Sequence, residues 1–264
     1  MVAVQLAAAA LGRARLSPRC ECVFIDVGLN TGRSLSTWPR VLHEAHTSHE
    51  LPHGLHARLG SCLERSKKVG ARRCWYGFEA NPRYTEALRG IEWRMRRRGE
   101  REVVLHTGTA FGTSWRPSTF YIDSESRGLG STLEASAQHV SFNASRPSMQ
   151  RFLVDPNRTV RETYTPLTTA STDAGEWLAA VAANASGSAL LALKLDVEGY
   201  EYTLLDHLLR RHARSLCRID LLAVEWHERK MPSAVGESER LKRRIRRAAA
   251  DRCAGRTTAV LDWE

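Results

Sequence analysis

The sequence has little lysine, no paired cysteine motif and no long hydrophobic run. Only five of its 39 basic residues are lysines, so the formal charge of +10 comes mostly from arginine. No apolar stretch reaches the roughly 20 residues that cross a bilayer, which argues against a membrane-spanning helix within this chain. The six cysteines form no C-x-x-C pair of the kind found in structural zinc sites. Their even number permits disulfides, although a chain of 264 residues does not need them.

The arginines are concentrated in two runs, at 94–98 and 240–247. A basic balance of this kind attracts nucleic acid, anionic membranes or acidic substrates. Aromatic side chains, on which the bases of a single strand stack, are not interleaved with these runs. We therefore favour solvated helix faces and keep nucleic-acid binding as the alternative.

Two features bear on the compartment. Residues 2–12 are apolar but short, which is typical of a residual signal or anchor segment, or of a first helix. Three N-x-S/T sequons, at Asn143, Asn157 and Asn184, occur among only five asparagines. Secretory and cytoplasmic locations both remain open at this point.

Apolar runs alternate with amphipathic segments along the chain, which predicts an α/β fold with a Rossmann-like, mostly parallel, doubly wound sheet. The expected strands cover 22–27, 75–79, 102–106, 118–123, 190–196, 219–226 and 257–263, and the expected helices 85–98, 173–183, 202–212 and 237–253. The rest of 107–188 shows no clear period. Sheets of this class bind ligands at the carboxyl ends of their strands, where the strand order reverses.

No Pro/Ser-rich linker divides the chain, so we expect one domain over 21–264 after an N-terminal extension over 1–20. A His-rich insertion near 39–60 interrupts this domain. His43 and His46 are spaced one residue too closely for the H-E-x-x-H zinc motif, and Pro52 with Gly54 argues against a continuous helix. We expect an irregular, solvated segment and no metal ligands.

The first candidate site follows the first strand and reads Asp26-Val-Gly28-Leu-Asn30-Thr-Gly32. Glycines in this turn let backbone approach a ligand closely. The pattern is not the dinucleotide fingerprint G-x-G-x-x-G, because Asn30 stands where the second glycine belongs. An acid at the turn suits a cationic ligand better than a pyrophosphate.

Acidic side chains also end three further predicted strands. Glu79 ends the second, where a carboxylate can accept hydrogen bonds from both hydroxyls of a ribose. Asp196 ends the strand over 190–196 and is followed closely by two more glutamates. Glu225 and His227 end the next strand, and His227 is either a general base or a buried, hydrogen-bonded histidine. We expect all of these side chains to face one crevice.

Four phrases, FIDVGLNTG, YGFEANP, LKLDVEGYEYTLLDHL and LAVEWH, resemble the FkbM-type family of S-adenosylmethionine-dependent methyltransferases over roughly residues 22–228. The resemblance implies a seven-stranded class I methyltransferase fold, S-adenosylmethionine as methyl donor, and methylation of a hydroxyl on a sugar, glycan or small metabolite. By motif, Asp26, Gly28, Asn30 and Gly32 would surround the methionine end of the cofactor. Glu79 would hold the ribose beside Asn81.

The same resemblance places Thr109 and Ala110 near the adenine, and Asp196 opposite the reacting methyl group. Asp196 would be the general base, with His227 as the second candidate. The sequence departs from the family at about 50 residues between Asp26 and Glu79, where a simple β-α-β unit has about 20.

Three rival functions remain. The charge favours a nucleic-acid methyltransferase, and a non-catalytic Rossmann-like binding module would keep the sheet without the chemistry. A nicotinamide-dependent oxidoreductase is disfavoured by the broken glycine fingerprint. Methyltransferases that act on amino groups carry [DN]-P-P-[YF] after the fourth strand, where this chain has Asp196-Val-Glu-Gly.

Overall fold

A computed structural model describes residues 20–36, 38, 53–65, 73–100, 102–124, 130–142, 152–185, 187–253 and 258–263. The expected N-terminal extension over 1–20 lies outside this part of the chain, except for Cys20. No helix of the described residues is long and apolar enough to cross a membrane.

A six-stranded parallel sheet forms the centre of the protein. Its strands are β1 (Cys22–Val27), β2 (Arg73–Glu79), β3 (Glu102–Thr107), β9 (Leu190–Leu195), β10 (Leu221–Val224) and β11 (Ala259–Asp262). They lie in the order β11-β10-β9-β1-β2-β3, and every neighbouring pair is parallel. The predicted α/β class is confirmed, and the sheet is compatible with a Rossmann-like fold. The resemblance implies a seventh strand, which is not found among the described residues of this sheet.

Helices cover both faces of the sheet. They are α1 (His53–Arg65), α2 (Thr85–Arg97), α3 (Val160–Thr163), α4 (Ala174–Asn184), α5 (Glu201–Arg211), α6 (Ala213–Leu216) and α7 (Glu237–Arg252). Side chains of β1 alternate between two cores: Ile25 packs with α4, α5 and α7, whereas Phe24 packs with α1 and α2. A strand buried on both faces must be mostly apolar, and Asp26 is the one charged residue of β1.

The arginine runs lie mainly on solvated helix faces. Arg94, Arg96 and Arg97 on α2 are exposed, as are Arg243 and Arg246 on α7. Leu241 and Ile245 on the opposite face of α7 are buried. The interpretation of these runs as solvated helix faces is therefore confirmed for both helices.

The region between β3 and β9 forms two smaller sheets. One has the order β4-β8-β5, with β4 (Thr109–Gly112), β8 (Thr165–Asp173) and β5 (Ser118–Ile122), and the other pairs β6 (Gln138–Phe142) with β7 (Phe152–Thr159). Only β5 was expected from the sequence. The remaining strands have no regular apolar alternation, and β8 pairs with segments more than 40 residues away.

All six cysteines are paired, in the disulfides Cys20–Cys74, Cys22–Cys62 and Cys217–Cys253. The even number of cysteines, which permits disulfides without requiring them, is matched by complete pairing. Cys22–Cys62 ties helix α1, in the long segment between β1 and β2, to β1, and Cys20–Cys74 joins the chain just before β1 to β2.

Part of the His-rich segment is helical rather than irregular. Helix α1 begins at His53, directly after Pro52, where proline is well tolerated. Leu55, Leu59 and Cys62 follow one another at helical spacing and are buried against the sheet. The expected solvated insertion near 39–60 is thus wrong for 53–60, while His43, His46 and His49 lie outside the described residues.

Candidate functional site

A cleft opens at the carboxyl ends of β1, β2 and β9. Its walls come from the turns after these strands, from β4 and β5, and from the segment over 131–133. The side chains and backbone that line it are Val27, Gly28, Asn30, Phe78, Glu79, Ala80, Tyr84, Thr109, Ala110, Phe111, Phe120, Ser131, Thr132, Leu133, Asp196, Val197 and Glu198. The strand order reverses between β1 and β9, so the cleft lies where parallel sheets bind ligands.

Gly28 brings the turns after β1 and β9 into direct contact. Its φ is +83°, and a Cβ atom at this position would lie 1.7 Å from the carbonyl oxygen of Asp196. The backbone N–H of Gly28 donates to the carbonyl of Phe78, which ties the turn to β2 as well. Only glycine meets both requirements, so the turn can form the floor between the three strands.

The carboxylate of Glu79 joins two turns of the cleft. Oε2 accepts the backbone N–H of Asn30 at 2.5 Å, and Oε1 accepts that of Asn81 at 2.7 Å. Burial raises the pKa of Glu79 to about 7, although the two backbone hydrogen bonds lower it. Each oxygen keeps a second lone pair, so the group can also accept hydrogen bonds from a ligand in the cleft.

Aromatic rings form one wall of the cleft and connect it to the core. Trp177 of α4 packs edge-on against Phe78, with ring centroids 5.0 Å apart, and against Phe111 at 5.7 Å. His106 stacks on the same Phe78 ring at 4.6 Å. These rings offer a contact surface for a flat apolar ligand, and helix α4 holds the rings in place from the side away from the cleft.

Asp26 does not line the cleft. It is fully buried, and its carboxylate lies 3.5 Å from the ammonium of Lys194, which also donates to Asp196 at 2.9 Å. Burial raises the pKa of Asp26, while the charge of Lys194 lowers it. Lys194 therefore fixes the orientation of Asp196, the acid of this group that reaches the cleft.

His227 lies among acids next to the cleft. Nδ1 is 3.3 Å from Glu201, and Nε2 is 3.4 Å from Glu198, 3.6 Å from Glu225 and 4.0 Å from Asp196. Burial lowers the pKa of His227, but Glu201 above all, with Asp196 and Glu225, raises it to about 9. At neutral pH the ring is an imidazolium, so it can donate a proton or a hydrogen bond but not accept a proton.

Lys230 completes the charge balance of this cluster. It forms an ion pair with Glu198, and burial lowers the pKa of Lys230 to about 8. Glu201 is fully buried and accepts the backbone N–H groups of Gly199 and His227. These bonds hold the chain after β9 against the chain after β10, so Asp196 and Glu225 face each other.

Six of the ten predicted site residues meet in the cleft: Gly28, Asn30, Glu79, Thr109, Ala110 and Asp196. The other four surround it. Gly32 faces Leu88 and Ile91 of α2, and the buried Asn81 caps the following turn by accepting the N–H of Arg83 at 3.1 Å.

Sequence reasoning missed the far wall of the cleft, which consists of Tyr84, Phe120 and residues 131–133. The backbone N–H and carbonyl of Thr132 form hydrogen bonds with the backbone of β5. The hydroxyl of Thr132 donates a hydrogen bond to the carbonyl of Val197. Residues 131–133 come from the part of the sequence without regular periodicity, whereas Phe120 lies in the strand expected over 118–123 and Tyr84 lies just after the second expected strand. The Ser131-Thr132 pair after a glycine was the one available signal of a turn at this wall.

Comparison with protein-family models, with curated proteins and with solved structures gave no match to this chain.

Proposed function

We propose that the protein is an S-adenosylmethionine-dependent O-methyltransferase. The observation that carries this proposal is the charge of the cleft: the described residues that line it include Glu79, Asp196 and Glu198 but no lysine or arginine. A sulfonium and an ammonium group gain from such a surrounding, whereas the pyrophosphate of a nicotinamide dinucleotide would lack a partner.

The donor set fits an adenosyl ligand. Glu79 offers two carboxylate oxygens at the end of β2, as a ribose requires, and Phe78 with Phe111 offers apolar surface for an adenine. Gly28 and Asn30 present backbone on the opposite side, next to Asp196. When bound, S-adenosylmethionine supplies an electrophilic methyl group to an acceptor hydroxyl.

Asp196 is the proposed base. Its side chain is 25% exposed at the cleft, and Lys194 holds Oδ2 at 2.9 Å, which leaves Oδ1 toward His227 and the cleft. The carboxylate removes the proton of the acceptor hydroxyl, while the cleft holds the reacting oxygen in line. The protonated His227 positions Asp196 and balances the charge of its neighbours.

The acceptor side is acidic, which supports a neutral polyol over a nucleic acid. Glu198 and Asp196 line the cleft and Glu225 lies beside them at His227, so a phosphate backbone would be repelled there. Carboxylates and an imidazolium are suitable partners for several hydroxyl groups at once. A sugar, a glycan or a small hydroxylated metabolite is therefore the proposed acceptor class.

A transfer assay with tritiated methyl groups tests this proposal. The wild-type protein and Asp196→Asn are compared against glycans, small hydroxylated compounds and RNA, with binding of S-adenosylmethionine measured in parallel. We expect methylation of a hydroxyl compound by the wild type, and a rate lowered by roughly 100-fold or more in Asp196→Asn with cofactor still bound. Transfer to RNA alone, or an undiminished rate in the variant, would contradict the assignment.

A further inference from the structure

A second cluster of chemically reactive side chains lies away from the cleft. Asp173 is the last residue of β8, and its Oδ1 caps α4 by accepting the N–H of Glu176 at 2.9 Å. His207 on α5 and His212 just after it approach the same carboxylate. None of these three residues lines the cleft, so the proposed methyl transfer does not account for them.

The spacing of the cluster is that of metal ligands. His207 Nε2 lies 3.5 Å from Asp173 Oδ2, and His212 Nε2 lies 3.6 Å from Oδ1. Both distances exceed those of ordinary N–H···O bonds. Ligand atoms bound to one tetrahedral zinc at its usual bond lengths lie about 3.3–3.5 Å apart. All three ligand atoms lie within 4.8 Å of one another, so small rotations of the rings would complete the arrangement.

His207 supplies an independent observation. Its Nε2 atom is buried and has no hydrogen-bond partner of normal geometry, although buried ring nitrogens are ordinarily satisfied. The atom points to the carboxylate of Asp173, where Oδ2 is not used for the helix cap. A cation between the two would satisfy both atoms.

We propose that Asp173, His207 and His212 bind a divalent transition metal, with Zn²⁺ as the best match. Two imidazoles and one carboxylate suit zinc, whereas magnesium and calcium prefer oxygen ligands alone. The side chain of His212 is 22% exposed, so water can reach the site and take the fourth position. This departs from the sequence-based expectation of no metal ligands.

Two other groups with metal-ligand spacing fit less well. Cys20 and Cys74 are joined in a disulfide and cannot act as thiolates. In the group of Asp196, Glu225 and His227, protonated nitrogens of His227 and Lys194 already occupy the space between the carboxylates. The described residues thus offer one cluster in which two imidazole nitrogens face a carboxylate that no lysine or arginine pairs with.

The metal would connect two helices behind the cleft. Asp173 begins α4, which carries Trp177 against the aromatic wall, and His207 with His212 lies at the end of α5. Binding would therefore hold α4 against α5. The expected role is structural, and it does not depend on the proposed methyl transfer.

Zinc binding by the full chain tests the proposal. The protein is stripped with a chelator, loaded with Zn²⁺, desalted and analysed for metal, beside Asp173→Asn, His207→Gln and His212→Gln. Asparagine still caps a helix, so Asp173→Asn isolates the loss of the carboxylate. We expect each variant to retain one zinc fewer per chain than the wild type. Zn²⁺ should also raise the melting temperature of the wild type but not that of the variants.

His227→Gln is the control, since it removes an imidazole from the other acidic cluster. Its zinc content should equal that of the wild type. Equal zinc in the wild type and all three ligand variants would overturn the proposal, as would a loss confined to His227→Gln. Should the histidine variants fail to fold, Co²⁺ in the wild type decides: intense visible bands of tetrahedral cobalt that Asp173→Asn lacks would support the site, and their absence would refute it.

Discussion

Gly28 is the residue on which the geometry of the cleft depends most. Its positive φ alone costs another residue about 1–3 kcal/mol, and a Cβ would collide with the Asp196 carbonyl. We expect Gly28→Ala to lower the free energy of unfolding by more than about 3 kcal/mol, measured by urea denaturation.

Gly99→Ala is the matched control for that substitution. Gly99 has a φ of +91°, but nothing lies within 4 Å of the position of its Cβ. Gly99→Ala should lower the free energy of unfolding only by the part that is due to backbone strain. If both variants are destabilised equally, the close contact between the turns after β1 and β9 does not contribute.

His227 predicts how stability depends on pH. Its pKa is about 9 in the fold, above the ordinary 6.5, because Glu201 and its neighbours favour the charged ring. The stabilisation is complete below pH 6.5 and is lost as the pH rises through 9, amounting to about 3 kcal/mol. Urea denaturation of wild type and His227→Gln should therefore differ strongly at pH 6.5 and little at pH 9.5. A constant difference would mean that folding does not raise the pKa of His227.

Among the elements, the buried strands could be predicted and the polar ones could not. β1 and β9 are mainly apolar runs, with Asp26 near the end of β1 and Asp196 directly after β9, so their place in the sheet follows from local sequence. β8 reads TPLTTASTD, and its burial arises only from pairing with β4 and β5. The spacing of Leu55 and Leu59 is a detectable signal of helix α1. Pro52 argues against a helix that continues through it, but α1 begins at the residue that follows it.

Some residues of the candidate site could likewise be predicted from the sequence, and others could not. Glu79 and Asp196 could be located because parallel strands end at one edge of the sheet. The burial of Asp26 could not be predicted, because it depends on the ion pair with Lys194, which lies on the neighbouring strand β9. The far wall of the cleft depends on β5, which reaches the site only through the second sheet.

The disulfides of β1 provide a test at the scale of elements. Cys20 and Cys22 lie at its amino end, opposite the cleft, and Cys20 is joined to Cys74 on β2. We expect Cys20→Ala/Cys74→Ala to lower the free energy of unfolding by about 2–4 kcal/mol, because the unfolded chain loses a constraint. Under conditions where the double variant is fully folded, its affinity for S-adenosylmethionine should change by less than about 2-fold, or roughly 0.4 kcal/mol.

Calorimetry and urea denaturation measure the two quantities. The double variant Cys217→Ala/Cys253→Ala, which opens the disulfide after α7, is the control, with a sequence separation of 36 residues against 54 for Cys20–Cys74. A loss of ligand binding in the first double variant alone, with stability unchanged, would show that the cleft and the amino end of β1 are coupled.

For the whole molecule, three disulfides indicate folding in an oxidising compartment. Asn184, in one of the three sequons, is exposed at the end of α4. We expect the chain to carry a glycan at Asn184 when it is produced through a secretory route. A glycosidase should lower the mass of the wild type, and Asn184→Gln should lose one such decrement. Identical mass changes in both proteins would contradict this.

The central claim is that acids and backbone at one edge of the sheet bind an adenosyl cation, and calorimetric titration with S-adenosylmethionine tests it most directly. Because the pKa of Glu79 is about 7, wild-type affinity should fall by roughly 10-fold between pH 8 and pH 6, as the carboxylate becomes protonated. Glu79→Gln should bind about 10-fold more weakly at pH 8, with no such pH dependence. Absence of binding by the folded wild type, or equal affinity and equal pH dependence in the variant, would contradict the account.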